Sequence, residues 1–173
     1  MNRPHFRIDE SILATHQQRF NNFLLDLVMR FFIMFGVFIV IVVIMMSQGY
    51  TEAEIIESPE RLSKVGQYAL GLVVDLIYFN FFEIIFARTV GKFITKTVVV
   101  DEFGRKPTIN AILMRSICRA IPFEFLTFIG MPSRGWHDQF SNTYVVQQEL
   151  LDAKKRTYNS FNVNSNQETQ SKI

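Results

Sequence analysis

Two stretches decide the fold: 20-FNNFLLDLVMRFFIMFGVFIVIVVIMM-46 and 65-VGQYALGLVVDLIYFNFFEIIFA-87. Each is long enough to cross a bilayer as a helix, which needs roughly 20 predominantly apolar residues. Each also carries charge. Asp26 and Arg30 lie in the first, Asp75 and Glu83 in the second. Ionisable groups inside apolar spans are costly, so they mark functional positions by default. The expected fold is an all-α membrane protein: a two-span helical hairpin with a short cytoplasmic β-turn segment and an amphipathic interfacial helix.

Composition supports this reading. The 173 residues are 49% hydrophobic, with 18 Phe, and the apolar residues gather in two blocks. A net charge of +2 is too small to imply a nucleic-acid partner. The single cysteine, Cys118, excludes an intrachain disulfide and reads as a small packing residue. The first apolar run exceeds the 7–15 residues of a signal-peptide core, so it is expected to remain as an anchor.

Three regions follow. Residues 1–19 form a polar N-terminal segment, in which Ile8 to Gln18 suggests a short surface helix with Ser11 as a cap. Residues 20–146 form the membrane domain, with spans at about 20–46 and 65–87 and a polar, glutamate-rich loop from Ser47 to Lys64. Residues 147–173 form a C-terminal segment, in which Gln147 to Tyr158 suggests a short helix and the Asn/Ser/Gln-rich end is expected to be disordered. Within the membrane domain, Phe93 to Val100 is β-branched and Asp101-Glu102-Phe103-Gly104 is a turn signal, together a strand and turn or a hairpin. Thr108 caps an expected helix at about 109–121. Its apolar residues (Ile109, Ile112, Leu113, Ile117, Ala120) fall on one face and Arg115 and Arg119 on the other, the pattern of a helix lying in the membrane surface. Phe123 to Met131 is apolar but too short to span.

The basic residues orient the chain. Twelve Lys and Arg follow the second span and three precede the first, against Arg61 and Lys64 in the loop. The positive-inside rule places both termini in the cytoplasm.

At about 100° per residue, Arg19, Asp26 and Arg30 fall within about 40° of one another on the first helix. Counting inward from Met46 and Val65 brings Glu83 to their depth, so Arg19, Asp26, Arg30 and Glu83 are expected to form a self-neutralising cluster near the inner edge. Asp75 falls near mid-membrane by the same count. The first span offers no opposite charge there, and burying such an acid costs roughly 3 kcal/mol on insertion scales. Arg88 and Lys92 around Gly91, together with Arg115 and Arg119, are candidates for lipid phosphate contact. Trp136, His137 and Asp138 form a candidate interfacial polar turn. His5 and His16 complete no metal-ligand spacing, and no nucleophile elbow, phosphate loop or zinc motif occurs. No enzyme activity and no cofactor are therefore expected.

The arrangement resembles the RDD family of small bacterial membrane proteins, named for an arginine and two aspartates. Arg19 and, seven residues on, Asp26 match its first two positions. Glu83, then Arg88, Thr89, Gly91 and Lys92, then Asp101, Gly104 and Arg105, look like later parts of its pattern, and Asp138 like its second aspartate. Asp75 has no counterpart in that pattern. The resemblance covers about Arg19 to Val146. It implies a bacterial cytoplasmic-membrane protein, with transport of unidentified ligands or sodium–proton exchange as its implied role. A non-transporting adaptor, binding lipid headgroups or partner proteins, is the alternative. The implied partners are the lipid bilayer and, since two spans cannot enclose a pathway, further copies of the chain or a larger membrane complex.

Overall fold

The computed structural model describes residues 6–61, 63–121 and 134–170, with side chains described as far as 163. The expectation for Phe123–Met131 lies outside these residues. Helix α1 spans His16–Ser47 and opens on a capping box: Gln18 N donates to Thr15 Oγ1, and Thr15 N donates to the Gln18 side chain. The preceding segment is a single 3-10 turn, Glu10–Ile12, capped by Asp9 rather than Ser11, because the Asp9 carboxylate accepts the Ser11 N–H. Helix α2, Glu52–Arg61, occupies what sequence alone suggests is a loop. Thr51 and Glu54 cap it reciprocally, and Ile55 anchors it while its charged residues face outward.

Helix α3, Lys64–Phe86, starts at the Ser63 cap and ends where Ala87 turns left-handed (φ 55°) and donates back to Glu83 O. Both α1 and α3 are long and apolar enough to cross a membrane, and none of the most apolar window of α1 is buried within the chain. They run antiparallel, because Asp26 meets Tyr78 while Arg30 meets Asp75.

Short helix α4, Val90–Ile94, leads into strand β1, Thr97–Asp101. The expected turn is present. The Asp101 carboxylate accepts the N–H groups of Phe103 and Arg105, and Gly104 supplies the positive φ of 70°. It does not close a local hairpin. Strand β1 pairs antiparallel with β2, Thr143–Gln147, some forty residues on, in register Thr97↔Gln147 through Asp101↔Thr143. Between them lie α5, Ile109–Arg119, capped by Thr108, and α6, Trp136–Phe140. Helix α7, Gln148–Gln170, follows β2 directly, so the C-terminal segment is helical through Gln170 where disorder is expected after Tyr158.

The sheet has two different faces. Val98, Val100 and Val146 pack with Ile12, Ala87 and Leu151 into an apolar cluster. The opposite face carries Val99 and Val145, flanked by Thr97 and Thr143, whose hydroxyls meet α1 and α5 respectively. The sheet thereby seats a polar assembly against the N-terminal end of α1 and the C-terminal end of α3.

Candidate functional site: a buried ion network under a cavity

Helix α5 has the two faces expected from the sequence, but its arginines turn into the protein rather than toward headgroups. Ile109, Leu113, Met114 and Ile117 are exposed, whereas Arg115 is completely buried and Ser116 and Cys118 are buried with it. The carboxylates that meet these cations come from distant elements, so the helix wheel alone does not show where the arginines go. Of the apolar residues counted on the expected face, Ile112 is the one fully buried.

Two fully buried acids organise the network. Glu83, on the last turn of α3, accepts from Arg119 Nη2 at 2.7 Å, Arg115 Nε at 3.0 Å and Lys92 Nζ at 3.1 Å. Asp138, on α6, accepts from Arg115 Nη1 at 2.5 Å and Arg19 Nη1 at 2.6 Å, with His137 Nε2 3.3 Å away. Arg115 therefore bridges α3 and α6, and it also donates to Thr143 Oγ1 of β2. Burial alone would raise the Asp138 pKa, but the charges of His137, Arg115 and Arg19 hold its carboxyl well below the usual carboxylate range. Burial pushes the Lys92 ammonium down, against the opposing pull of Glu83.

Asp26 forms a second centre. It accepts from Thr89 Oγ1 at 2.6 Å, Gly91 N at 2.8 Å and Tyr78 OH at 2.9 Å. Gly91 is required by this approach: a Cβ there would lie 2.6 Å from Asn22 O and 3.0 Å from Asp26 Oδ1. Asn22 completes the buried stripe of α1, donating to Thr97 Oγ1 and accepting from Thr95.

These contacts correct three expectations. Arg19, Asp26, Arg30 and Glu83 do not neutralise one another, since each is matched by a different element, and the register sets Glu83 roughly 12 Å along the helices from Arg30. Lys92, Arg115 and Arg119 do not form an outward-facing basic patch, since all three are held by Glu83, and Lys92 and Arg119 also line a cavity. Arg88, for its part, donates to Gln148 at 2.7 Å and lies over Phe93. Asp75 does meet an opposite charge on the first helix: Arg30 Nη1 lies 2.7 Å from Asp75 Oδ2. Counting from Met46 and Val65 assumes that the two helices start level. The observed register puts Val65 opposite about residue 40, so α1 overshoots α3 by about six residues, roughly 9 Å.

Trp136, His137 and Asp138 share the short helix α6. Trp136 is partly exposed, while His137 and Asp138 point inward. The Asp138 acceptor role for Arg19 is not visible from spacing, because the two lie 119 residues apart. Sequence reasoning missed β2 and the Ser141–Thr143 pair (2.8 Å) that supports Arg115.

Above the network, α1, α3 and α5 enclose a cavity of about 390 Å³. Arg19, Asp26, Arg30, Asp75, Lys92 and Arg119 contribute its polar lining. Phe23, Leu27, Leu72, Leu76 and Phe79 contribute its apolar walls. Phe79 lies between two guanidinium groups, Arg119 at 4.3 Å and Arg30 at 6.0 Å from its ring centre. Among the described residues, no group of three or more His, Cys, Asp or Glu side chains could hold a metal ion.

A family model described as the RDD family matches residues 13–142, about three quarters of the chain. The chain belongs to the RDD family. The match takes in Arg19, Asp26, Glu83, Arg115 and Asp138, and ends one residue before Thr143. Together with the two long apolar helices, membership marks a membrane protein. No curated protein and no solved structure matches the chain.

Proposed function

We propose that this RDD protein is a two-span component of transport in the bacterial cytoplasmic membrane, inserted as a hairpin with both termini in the cytoplasm. The observation that carries the reading is the cavity with the half-exposed Arg30–Asp75 pair on its wall. A pair that served only to hold two helices in register would need no hollow beside it. Among the described residues, Asp26 and Glu83 each accept three hydrogen bonds and Asp138 two, whereas Asp75 accepts from Arg30 alone. Asp75 is thus the acid best placed to exchange a proton or a cation, the chemistry that the family resemblance implies. The bare apolar surface of α1 needs lipid or another chain against it, which supports an oligomer or a larger membrane complex.

Reconstituted protein tests the role. Sodium or proton flux in vesicles that is lost in Asp75→Asn supports transport through this acid. Undiminished flux in that variant removes Asp75 from the mechanism. Absence of flux together with co-purification of a defined partner favours the adaptor reading. Topology has its own test, in a Cys118→Ser background with single cysteines at Ile56 in α2 and Phe161 in α7, both exposed. An impermeant thiol reagent is expected to label Ile56→Cys from outside the cell and Phe161→Cys only after permeabilisation.

A further inference from the structure

We infer that the cavity binds the phosphate of an anionic phospholipid, with guanidinium groups on its polar side and the start of the acyl chains along its apolar wall. The inference rests on the cavity being the working site proposed above, but not on flux through it. Three observations converge.

The first is a surplus of donors. Arg19 is 4% exposed and lines the cavity, yet its Nε and Nη2 have no hydrogen-bond partner. The same holds for Arg30 Nε and Arg119 Nη1, from two other residues of the lining. Unmade hydrogen bonds on buried charged groups are expensive, so among the described residues these three cavity-lining arginines keep unused donors, which a turn of each guanidinium would offer to an acceptor in the hollow. The second is charge. Among the described residues, five cations (Arg19, Arg30, Lys92, Arg115, Arg119) meet four carboxylates (Asp26, Asp75, Glu83, Asp138) in and beneath the cavity, with His137 a further basic group beside Asp138. The deficit is one of negative charge, which an anion supplies and a metal cation would worsen. Guanidinium groups present the planar donor geometry that phosphate oxygens accept.

The third observation selects the lipid over a free ion. The walls are made by Phe23, Leu27, Leu72 and Phe79 of two helices whose remaining apolar surface is exposed. A free phosphate would waste this apolar lining, whereas glycerol and the first methylenes of a lipid would cover it. Basic pockets between membrane helices on the cytoplasmic side are suited to anionic headgroups for this reason. A volume of 390 Å³ takes the headgroup and the chain origins, leaving the rest of the chains in the bilayer.

The test is native mass spectrometry of the full chain in a neutral detergent, with phosphatidylglycerol or phosphatidylcholine added and inorganic phosphate as competitor. One phosphatidylglycerol retained per chain, with phosphatidylcholine lost, is the expected result. Retention should fall roughly tenfold in Arg30→Gln/Asp75→Asn, which deletes a donor without changing net charge. It should fall similarly in Leu72→Trp, which fills the apolar wall and leaves every charge in place. Equal retention of the two lipids, or anionic retention indifferent to both variants, overturns the inference. Displacement by millimolar inorganic phosphate, with no effect of Leu72→Trp, shows a free phosphate site and overturns the lipid as occupant. Lipid retention without flux sinks only the transport reading, and flux without lipid retention sinks only this one.

Discussion

Removing an acid from the buried network should cost much more than removing a cation, and Glu83 and Lys92 allow the comparison within one contact. Glu83 accepts three charge-assisted hydrogen bonds, from Lys92, Arg115 and Arg119. Each such bond contributes about 1.5–3 kcal/mol. In Glu83→Gln one carbonyl oxygen remains to serve three cations, and the new amide N–H groups turn toward donors. The loss of about two bonds gives roughly 4 kcal/mol, within the ~3–5 kcal/mol that follows when one partner of a buried pair is removed. In Lys92→Met the volume is nearly kept, and Glu83 retains both arginines. The network also sheds a surplus cation whose ammonium is already penalised by burial. About 1 kcal/mol is expected there.

The comparison is read as thermal unfolding of the purified protein in one detergent. At about 2–4 °C per kcal/mol for a chain of this size, Glu83→Gln should lower Tm by about 8–16 °C and Lys92→Met by about 2–4 °C. If Lys92→Met proves as damaging as Glu83→Gln, the charge imbalance is wrong, and with it the case for an anion in the cavity. A Glu83→Gln shift under about 3 °C would mean that Glu83 is solvated or protonated and organises nothing.

Gly91→Ala should destabilise by about 1–3 kcal/mol, because its Cβ would press on the Asn22 carbonyl, a backbone atom that cannot swing aside; a Tm equal to that of the parent protein would show that α1 and α4 do not approach as closely as described. Acid should loosen the network through Asp138. Its depressed folded pKa contributes stability that is complete above the unfolded value of about 3.9 and is lost as pH falls from there toward the folded value, so Tm should drop below about pH 4, and less steeply in Asp138→Asn. Exchanging the partners of the half-exposed pair, Arg30→Asp with Asp75→Arg, should restore most of whatever stability either single change loses, and a double variant no better than the worse single one would show that the two do not pair.

The two long helices were legible because a membrane asks for little more than length and apolarity, and α1 and α3 satisfy both without help from the rest of the chain. The stripe on α1 was legible for a similar reason. Of the expected stripe Arg19, Asp26 and Arg30, the first two are buried and Arg30 is partly so, while Asn22, buried between them, was not expected. What stayed hidden depends on partners far away along the chain. No local signal pairs Thr97–Asp101 with Thr143–Gln147 in preference to a hairpin, because the β-branched run and the turn after it suit both. The periodicity of α5 shows its two faces, but not that its arginines turn to Glu83 and Asp138 rather than to headgroups. The convention of apolar-inside holds where water is the solvent, and here Glu83 and Asp138 supply a polar interior instead. The depths failed through the loop: taking Ser47 to Lys64 as a short link made the spans start level, whereas α2 accommodates the overshoot of α1.

The buried arginine side of α5 also bears on what joins the sheet unit to the hairpin. Outside the spans the apolar core is two small clusters, and neither includes a residue of α5 or α6. Hydrophobic packing therefore holds the sheet to the N-terminal segment and α7, but not α3 to α6. That connection runs through one guanidinium: Arg115 contacts Glu83 with Nε and Asp138 with Nη1. Ion pairs of this kind contribute little net stability compared with apolar contacts of equal volume, but they are intolerant of displacement, since a shift of an ångström or two leaves charges buried and unmatched. The network is thus better suited to fixing the positions of α3, α5 and α6 than to adding stability. Fixed positions are what the cavity above requires, because three arginines of its lining are held in place by Glu83, Asp138 and Asp75.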